Sequence, residues 1–240
     1  METLVLIVGV IGNVISVLMF LSPVGTFWRI VKNRSTEDFE SLPYVCTLLS
    51  SSLWTYYGII KPGAYLVSTV NGFGVVVEIV FVTLFLLYAP PMMKRRTAIL
   101  VGLLNVGFFT AAVLVTRLAL EGEVRIDATG FMGSALNIVM YGSPLAVMKT
   151  VVTTKSVEFM PFLLSFFLSL NGAVWTLYAV LTRDIFLGVP NGAGFLLGAA
   201  QLVLYAIYRN AKPSRNTNIR EDGLEEGWQN ESLISSTFDR

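Results

Sequence analysis

The sequence has 240 residues, of which 54% are hydrophobic and 14% are charged, and its formal net charge is +1. This composition is too apolar for a soluble domain and is typical of a protein that crosses a membrane several times. The near-neutral charge, without a basic cluster interleaved with aromatic residues, excludes nucleic acid as a partner.

Seven stretches are long and apolar enough to cross a bilayer, which takes roughly 20 helical residues. The first stretch follows no basic segment, so we interpret it as a span and not as a cleaved signal peptide. After the last stretch the chain becomes polar, which predicts a disordered tail. The predicted spans are Leu4–Phe20, Leu42–Ile60, Tyr65–Tyr88, Ile99–Leu120, Ala128–Met148, Pro161–Leu181 and Phe186–Tyr208.

Lysine and arginine are distributed unequally between the two sides of these spans. Because cytosolic loops carry the excess of positive charge, we expect the N-terminus outside the cell or in an organelle lumen, and the C-terminus in the cytosol. The side with twelve residues carries Arg29, Lys32, Arg34, Lys94, Arg95, Arg96, Lys149, Lys155, Arg209, Lys212, Arg215 and Arg220. The side with four carries Lys61, Arg117, Arg125 and Arg183, and Arg240 at the tip of the tail is not counted.

The chain repeats itself after about 120 residues. Gly12–Val24 matches Gly133–Leu145 at a constant offset of 121. Each copy covers three helices, so the fourth span is needed to return the second copy to the orientation of the first. We therefore predict an all-α membrane protein of two parallel three-helix repeats around a pseudo-two-fold axis, joined by an inverting linker helix (3+1+3). The predicted units are residues 1–96 (first repeat with its cytosolic linker), 97–124 (linker helix), 125–210 (second repeat) and 211–240 (cytosolic tail).

Four prolines stand at the predicted cytosolic ends of the helices: Pro23, Pro43, Pro144 and Pro161. We expect Pro23 to end span one and Pro144 to end span five, and the other two to begin spans two and six. Proline removes a backbone hydrogen bond and permits bending, so four prolines at one depth predict a constriction flanked by hinges. The alternative is that they only mark helix boundaries.

Two tryptophans and two asparagines lie deep in the spans: Trp54, Trp175, Asn71 and Asn191. Both tryptophans are roughly 15 Å from the proline ends by helix rise, which is too deep for an interfacial anchor. Flat aromatic surfaces cover the C–H faces of sugars, and carboxamides pair with hydroxyls, so this quartet predicts a site for a neutral polyol. The alternative is an interhelical clasp formed by the asparagines.

Other polar residues within the spans are weaker candidates for this site. Ser50 and Asn171 each lie one turn from a tryptophan, and Ser16 and Asn137 occupy equivalent positions in the first helix of each copy. A serine within a span often bonds to its own backbone, which is the alternative for both serines.

Three further residues are candidates for gating or for a charge inside the membrane. Tyr57 and Asp184, toward the lumenal ends, could hydrogen-bond and close the outer mouth, whereas Asp184 next to Arg183 could equally be a solvated loop charge. Glu78 is the clear charge within a span, where an unpaired carboxylate costs roughly 2.5–3.5 kcal/mol or more. We expect it to face protein in a structural role. Without a second coupling group, facilitated diffusion is the simpler mechanism.

These motifs resemble the SWEET (MtN3/saliva) family of sugar transporters over about residues 5–210. The resemblance lies in GNVISVLMFLSPV, RSTEDFESLPY, LWTYYG, TVNGFG, TKSVEFMPF, VWTLYA and VPNGAG. It implies a sugar uniporter with a 3+1+3 helix layout, a cytosolic gate of the four prolines and an outer gate of Tyr57 and Asp184. It also implies a central binding site of Trp54, Asn71, Trp175, Asn191, Ser50, Asn171, Ser16, Met19, Asn137 and Met140.

Within the family, the chain looks most like the vacuolar-membrane subgroup, which carries fructose, glucose and in some members sucrose. Asn137 and Asn171 stand where sucrose-preferring relatives tend to have serine, which favours monosaccharides. We expect the vacuolar membrane as the location, with the plasma membrane as the alternative. Leu233-Ile234 in the tail loosely resembles an acidic dileucine vacuolar signal. The expected partners are the sugar, membrane lipid and further copies of the chain in a homo-oligomer.

Three other functions fit the sequence less well. A heptahelical receptor also has seven spans, but parallel repeats are not expected there and the lone Cys46 forbids its usual extracellular disulfide. A proton-coupled PQ-loop transporter of amino acids predicts a paired acid on the substrate path, which Glu78 alone does not supply. An enzyme would need a convincing nucleophile and base. Because the chain has no histidine, the usual base and metal ligand are absent, and we predict no cofactor and no metal.

Overall fold

The structure is a computed structural model that describes residues 2–37 and 39–210, and every regular element in these ranges is helical. The polar tail from residue 211, its predicted disorder and its Leu233-Ile234 pair lie outside the described residues. A π-helical segment (Val101–Phe108) joins the helix Pro91–Leu100 to the helix Phe109–Ala119. The helices are α1 (Glu2–Leu21), α2 (Val24–Asn33), α3 (Leu42–Ile60), α4 (Tyr65–Tyr88), α5 (Pro91–Leu100), α6 (Phe109–Ala119), α7 (Gly122–Met140), α8 (Gly142–Thr154), α9 (Phe162–Thr182) and α10 (Ile185–Tyr208).

These helices form seven membrane-spanning segments. Six of the segments are long and apolar enough to cross a bilayer by length and composition alone. The seventh, α3, has 19 residues but includes three serines, two threonines and three tyrosines, which lower its hydropathy. The six are Glu2–Asn33, Tyr65–Tyr88, Pro91–Ala119, Gly122–Thr154, Phe162–Thr182 and Ile185–Tyr208.

Two three-helix units pack in the same way. In the first unit α3 pairs with α4 and α1 packs against α4, and in the second unit α9 pairs with α10 and α7 packs against α10. The units meet along α1 with α9 and along α3 with α7. The sequence offset of 121 exchanges these two interfaces, so the fold is the predicted 3+1+3 arrangement of parallel repeats.

The fourth span is a continuous helical rod that begins earlier than predicted. It runs from Pro91 to Ala119, not from Ile99, because proline in the first turn lacks an N–H that the helix does not need there. The predicted unit boundary at residue 96 therefore falls inside a helix. The rod packs along α3, and Asn105 in the π-helical segment donates from Nδ2 to the Val45 carbonyl at 3.2 Å. Only 6% of the residues in its most apolar stretch are buried, so the rod lies on the outside of the bundle.

α1 stops at Leu21, just before Pro23, but helix resumes at both prolines, so the prediction that they end spans one and five is wrong. α1 is followed after two residues by α2, and α7 is followed after one residue by α8. Pro23 is the N-cap of α2, and Pro144 lies in the first turn of α8. A proline there leaves no intrahelical bond unmade, so the helix can resume after a short break. The first helix of each unit is thus a broken helix.

Both broken helices end with the same backbone geometry. Arg34 after α2 and Lys155 after α8 adopt left-handed conformations, with φ of 50° and 57°. The serine that follows, Ser35 or Ser156, accepts a hydrogen bond from the backbone N–H two residues on, at 3.1 or 3.3 Å. The repeat therefore extends to the turns that lead into α3 and α9.

Candidate functional site

A cavity of about 410 Å³ lies between the two three-helix units. Its volume is within the roughly 300–1,000 Å³ typical of small-ligand sites. All ten residues that the family resemblance implies as sugar-binding line this cavity: Ser16, Met19, Ser50, Trp54, Asn71, Asn137, Met140, Asn171, Trp175 and Asn191. We call the end of the bundle with Pro23, Pro43, Pro144 and Pro161 the proline end, and the end with Tyr57 and Asp184 the tyrosine end.

Trp54 and Trp175 form two aromatic walls of the cavity and are 4% and 5% exposed. Each ring packs against a helix of the opposite unit: a Cβ on Gly12 would lie 3.0 Å from Trp175, and one on Gly133 would lie 3.0 Å from Trp54. Glycine at these positions allows the close approach of ring and backbone. Each tryptophan also meets the tyrosine three residues on, with 5.3 Å between ring centroids. Packing on both sides therefore fixes the ring orientations.

Asn71 and Asn191 are held in equivalent positions by their own helices. Each Nδ2 donates to the carbonyl four residues earlier, Val67 or Leu187, at 2.8 Å. Within the described part of the chain, neither carboxamide oxygen accepts a hydrogen bond from the protein. The interhelical clasp that the sequence left open is therefore not what these two side chains form. Their oxygens remain available to a ligand in the cavity.

Two serine–asparagine pairs do clasp the units together, one at each interface. Ser16 Oγ on α1 donates to Asn171 Oδ1 on α9 at 2.8 Å, and Ser50 Oγ on α3 donates to Asn137 Oδ1 on α7 at 2.7 Å. Trp175 Nε1 donates to Ser16 Oγ at 2.9 Å. The serines thus bond across the interface and not to their own backbone. These four residues connect the units as well as lining the cavity.

The four prolines are not equivalent in the structure. Pro23 and Pro43 line the cavity, whereas Pro144 and Pro161 do not. Pro43 lies in the first turn of α3, but Pro161 is the N-cap outside α9. Pro43 is 11 residues from the tryptophan of its helix and Pro161 is 14 residues from its own, so the second proline lies about a turn further out. The structure does not bring all four prolines around the cavity.

Three hydrogen-bonded side chains lie together at the tyrosine end. Tyr57 Oη donates to Asp184 at 3.0 Å, and Lys61 Nζ lies 2.7 Å from Asp184 Oδ2 and 2.8 Å from Tyr57 Oη. Asp184 also caps α10 by accepting from the Leu187 N–H at 3.1 Å. Tyr57 is fully buried and Asp184 is 4% exposed. Asp184 is thus not a solvated loop charge, and Lys61 is a third member that sequence reasoning missed.

Glu78 lies in the cavity wall and not in a structural network. Its side chain is buried, and no backbone or side-chain hydrogen bond reaches its Oε2 within the described residues. No hydrogen bond to a described residue supports the structural role expected for it. Glu78 is thus a buried acid in the lining of the cavity.

Pro190 interrupts the hydrogen-bond ladder of α10 one residue before Asn191. Because proline has no N–H, the carbonyl of Phe186 loses its usual partner. Ser134 Oγ on α7 donates to that carbonyl at 2.5 Å, and Tyr141 Oη donates to the Pro190 carbonyl at 2.6 Å. Ser134 therefore replaces the donor that the proline removes, and Tyr141 adds a second contact next to Asn191.

The first unit has a corresponding contact without a proline. Asn13 on α1 donates from Nδ2 to the Leu66 carbonyl at 3.0 Å, and its Oδ1 accepts from Thr69 Oγ1 at 3.2 Å. The offset of 121 relates Asn13 to Ser134. Sequence reasoning named neither residue. The signal that could have found them is that both are polar at the same position of the first helix in each unit.

Comparison with known proteins gives consistent matches. The chain matches the MtN3/saliva family, described as sugar efflux transporters for intercellular exchange, over residues 6–92 and again over residues 127–213. It is 63% identical over 225 residues to the bidirectional sugar transporter SWEET17 of Arabidopsis thaliana, covering 93% of this chain and 92% of that protein. It is 60% identical over 207 residues to SWEET16 of the same plant, covering 86% and 90%.

The fold also matches a solved structure. That protein is a eukaryotic SWEET transporter, and the superposition has a TM-score of 0.82. The two chains are 40% identical, and the match covers 85% of this chain and 96% of the other.

Proposed function

The chain belongs to the SWEET (MtN3/saliva) family of sugar transporters, and from this premise we propose how it selects and moves its substrate. It is a bidirectional, facilitative sugar transporter and not an enzyme. The substrates that the cavity supports best are monosaccharides such as fructose and glucose, with sucrose as a further possibility. The observation that carries this proposal is the cavity between the units, with two buried tryptophans and two asparagines held by their own helices.

The sugar ring lies in the layer of Trp54 and Trp175. The flat indole surfaces cover its C–H faces, and the carboxamides of Asn71 and Asn191 pair with its hydroxyls. Because packing and intrahelical bonds already fix these four side chains, little of the binding energy is lost in ordering them. No charged group is needed for a neutral substrate.

Transport proceeds by alternating access around this layer. The contact of Tyr57 with Asp184 supports a state that is closed at the tyrosine end, while the cavity extends from the tryptophans to Pro23 and Pro43. Opening the tyrosine end requires separation of Tyr57 and Lys61 from Asp184. The breaks between α1 and α2 and between α7 and α8 are the hinges that let the proline end close.

Uniport is the coupling mode that the site supports. Among the described residues that line the cavity, Glu78 is the single carboxylate and there is no lysine or arginine. A proton-coupled carrier needs a titrating group whose charge state is linked to both substrate and conformation, and a lone acid lacks such a partner. Sugar therefore moves down its own gradient in either direction.

We infer the membrane and the orientation from the sequence. We place the chain in the vacuolar membrane with its N-terminus in the lumen and its C-terminus in the cytosol, supported by the subgroup resemblance and by the lysine and arginine distribution. The proline end then faces the cytosol. Assembly with further copies is compatible with this mechanism, because residues of one chain line the cavity.

Flux measurements in proteoliposomes test the proposed function. Fructose and glucose should equilibrate down their gradients at a rate that a pH gradient does not change. Accumulation of sugar against its gradient, driven by protons, would overturn uniport and favour the proton-coupled alternative.

The same assay tests whether the tryptophan layer, formed by Trp54 and Trp175, binds the sugar. Trp175→Ala and Asn191→Ala remove a stacking surface and a hydroxyl partner, so each should lower flux about tenfold or more while the protein inserts normally. Trp28→Ala is the control, because Trp28 on α2 is 73% exposed and away from the cavity. Unchanged kinetics in the two cavity variants would exclude this site.

A further inference from the structure

Glu78 is a cavity side chain that the protein leaves without a partner. It is 3% exposed, and its Oε2 accepts no hydrogen bond within the described residues. Six other polar residues of the cavity each make at least one side-chain hydrogen bond to the protein: Ser16, Ser50, Asn71, Asn137, Asn171 and Asn191. Buried polar atoms are normally paired with protein, water or ligand. Glu78 lines the cavity and neither of its carboxyl oxygens bonds to a described residue, so the donor that this carboxyl group lacks must enter from the cavity.

The position of Glu78 is distinct from the tryptophan layer. It follows Asn71 by seven residues on α4, which places it on the same helix face, two turns or about 10 Å nearer the proline end. Both side chains line the same cavity. The cavity is thus longer than the layer that holds one sugar ring.

The neighbours of Glu78 restrict what can bind there. Tyr44, Pro43 and Thr47 line the same end of the cavity, and no described lysine or arginine does. The Tyr44 ring is fixed by edge-on packing against Phe27, with 4.9 Å between centroids. Thr47 Oγ1 is engaged with the Pro43 carbonyl at 2.9 Å. Glu78 therefore faces an aromatic and apolar wall with a free acceptor, which suits the hydroxyls of a neutral ligand.

The repeat does not reproduce this acid. At the offset of 120 that relates Asn71 to Asn191, Glu78 corresponds to Gly198. A Cβ on Gly198 would lie 2.7 Å from the Ser169 backbone nitrogen, so α9 and α10 pack too closely there for any side chain. The polar group at this depth comes from the first unit alone.

We propose that Glu78 is the hydroxyl acceptor of an inner sugar subsite, between the tryptophan layer and Pro23 and Pro43. A hexose that leaves the tryptophan layer toward the proline end donates hydroxyl hydrogen bonds to the Glu78 carboxyl group and packs against Tyr44. The second ring of a disaccharide would occupy the same place. The subsite rests on the proposed function, because it requires that sugars occupy this cavity.

Binding of deoxy sugars to purified full-length chain tests the subsite. Glucose and its monodeoxy analogues are titrated into protein in lipid nanodiscs, and binding is followed by tryptophan fluorescence. Wild type should bind at least one analogue about tenfold more weakly than glucose, because a hydrogen bond to a carboxyl group is lost. Glu78→Leu should bind glucose about tenfold more weakly and should no longer discriminate against that analogue.

Two further variants separate this role from a structural one. Glu78→Gln retains an acceptor oxygen, so it should discriminate against the same analogue more than Glu78→Leu does and less than wild type does. This variant also provides the test if Glu78→Leu does not fold. Gln201→Leu removes another buried polar side chain, on α10 and outside the cavity, and should bind all analogues like wild type.

The outcomes distinguish the subsite from the function. The proposal is overturned if the Glu78 variants bind glucose as wild type does, or if they keep its full discrimination against every analogue. If wild type neither binds nor transports glucose or fructose, the proposed function fails and the subsite fails with it.

Discussion

At the scale of single residues, the two tyrosines that pack against the tryptophans have different hydrogen-bond partners in the two units. Tyr57 and Tyr178 are related by the offset of 121 and are both buried. Only Tyr57 bonds to an acid, because the position related to Asp184 by the offset of 120 is Ala64. Within the described residues, the Tyr178 hydroxyl takes part in no hydrogen bond. The hydrogen bond to an acid at the tyrosine end is therefore made by one tyrosine of the pair.

We expect Tyr57→Phe to shift the protein toward a state that is open at the tyrosine end. The variant keeps the ring but loses the hydrogen bond to Asp184, which is worth about 1.5–3 kcal/mol for a charged partner, or roughly tenfold or more in population. The measurement is the modification rate of Leu187→Cys in a Cys46→Ala background by an impermeant thiol reagent added at the tyrosine end. That rate should rise about tenfold.

Tyr178→Phe is the matched control for this measurement, because its ring is equally buried and its hydroxyl is not engaged. The control should label at the wild-type rate. Equal labelling in Tyr57→Phe and wild type would show that the hydrogen bond does not hold the tyrosine end closed.

Most cavity residues could be predicted because they are unusual for their surroundings. A tryptophan or an asparagine in the middle of an apolar span stands out, and the repeat doubles the signal. Lys61 could not be found in this way, since a lysine at a helix end is ordinary and its partner Asp184 lies far away in sequence. The pairing of Ser16 with Asn171 was equally hidden, because a pattern within one helix does not show which helix it faces.

At the scale of the helices, Pro190 shows how one unit tolerates a break that the other lacks. The related position in α4 is Val70, whose N–H is available to the Leu66 carbonyl. In α10 the corresponding carbonyl of Phe186 depends on Ser134. The position of Asn191 is thus tied to α7.

Ser134→Ala should destabilise the protein, because the Phe186 carbonyl is then buried without a partner, at a cost of about 1–3 kcal/mol. Pro190→Val in the same chain restores an N–H to α10 and should recover most of the loss. The thermal midpoint of purified protein measures both effects. If the double variant is no more stable than Ser134→Ala, the serine is not compensating for the proline.

Helix bounds could be predicted better than helix breaks. α3 and α4 have the predicted ends, and α9 and α10 begin within one residue of them, because Pro, Gly and charged residues mark those turns. The breaks at Pro23 and Pro144 were missed for a physical reason. A proline that ends a helix and one that starts the next leave the same sequence pattern, and only the residues that follow decide whether the chain turns away or continues.

At the scale of the whole molecule, one chain lines the complete cavity with six helices. Transport per chain should therefore not depend on contact between copies. When the protein is reconstituted at falling density, down to less than one chain per vesicle on average, sugar flux per chain should stay constant. A steep fall in flux per chain on dilution would show that a second copy contributes to the path.

The two serine–asparagine clasps carry a consequence for the origin of the chain. The first unit supplies both serines, Ser16 and Ser50, and the second supplies both asparagines, Asn137 and Asn171. If the repeats arose by duplication of a three-helix ancestor that paired with itself, the two identical copies presented the same pair of side chains to each other. Two copies of the present first half would set serine against serine, and two of the second would crowd asparagine against asparagine. The two present halves are complementary at these contacts, with a donor hydroxyl on one side and a carboxamide acceptor on the other.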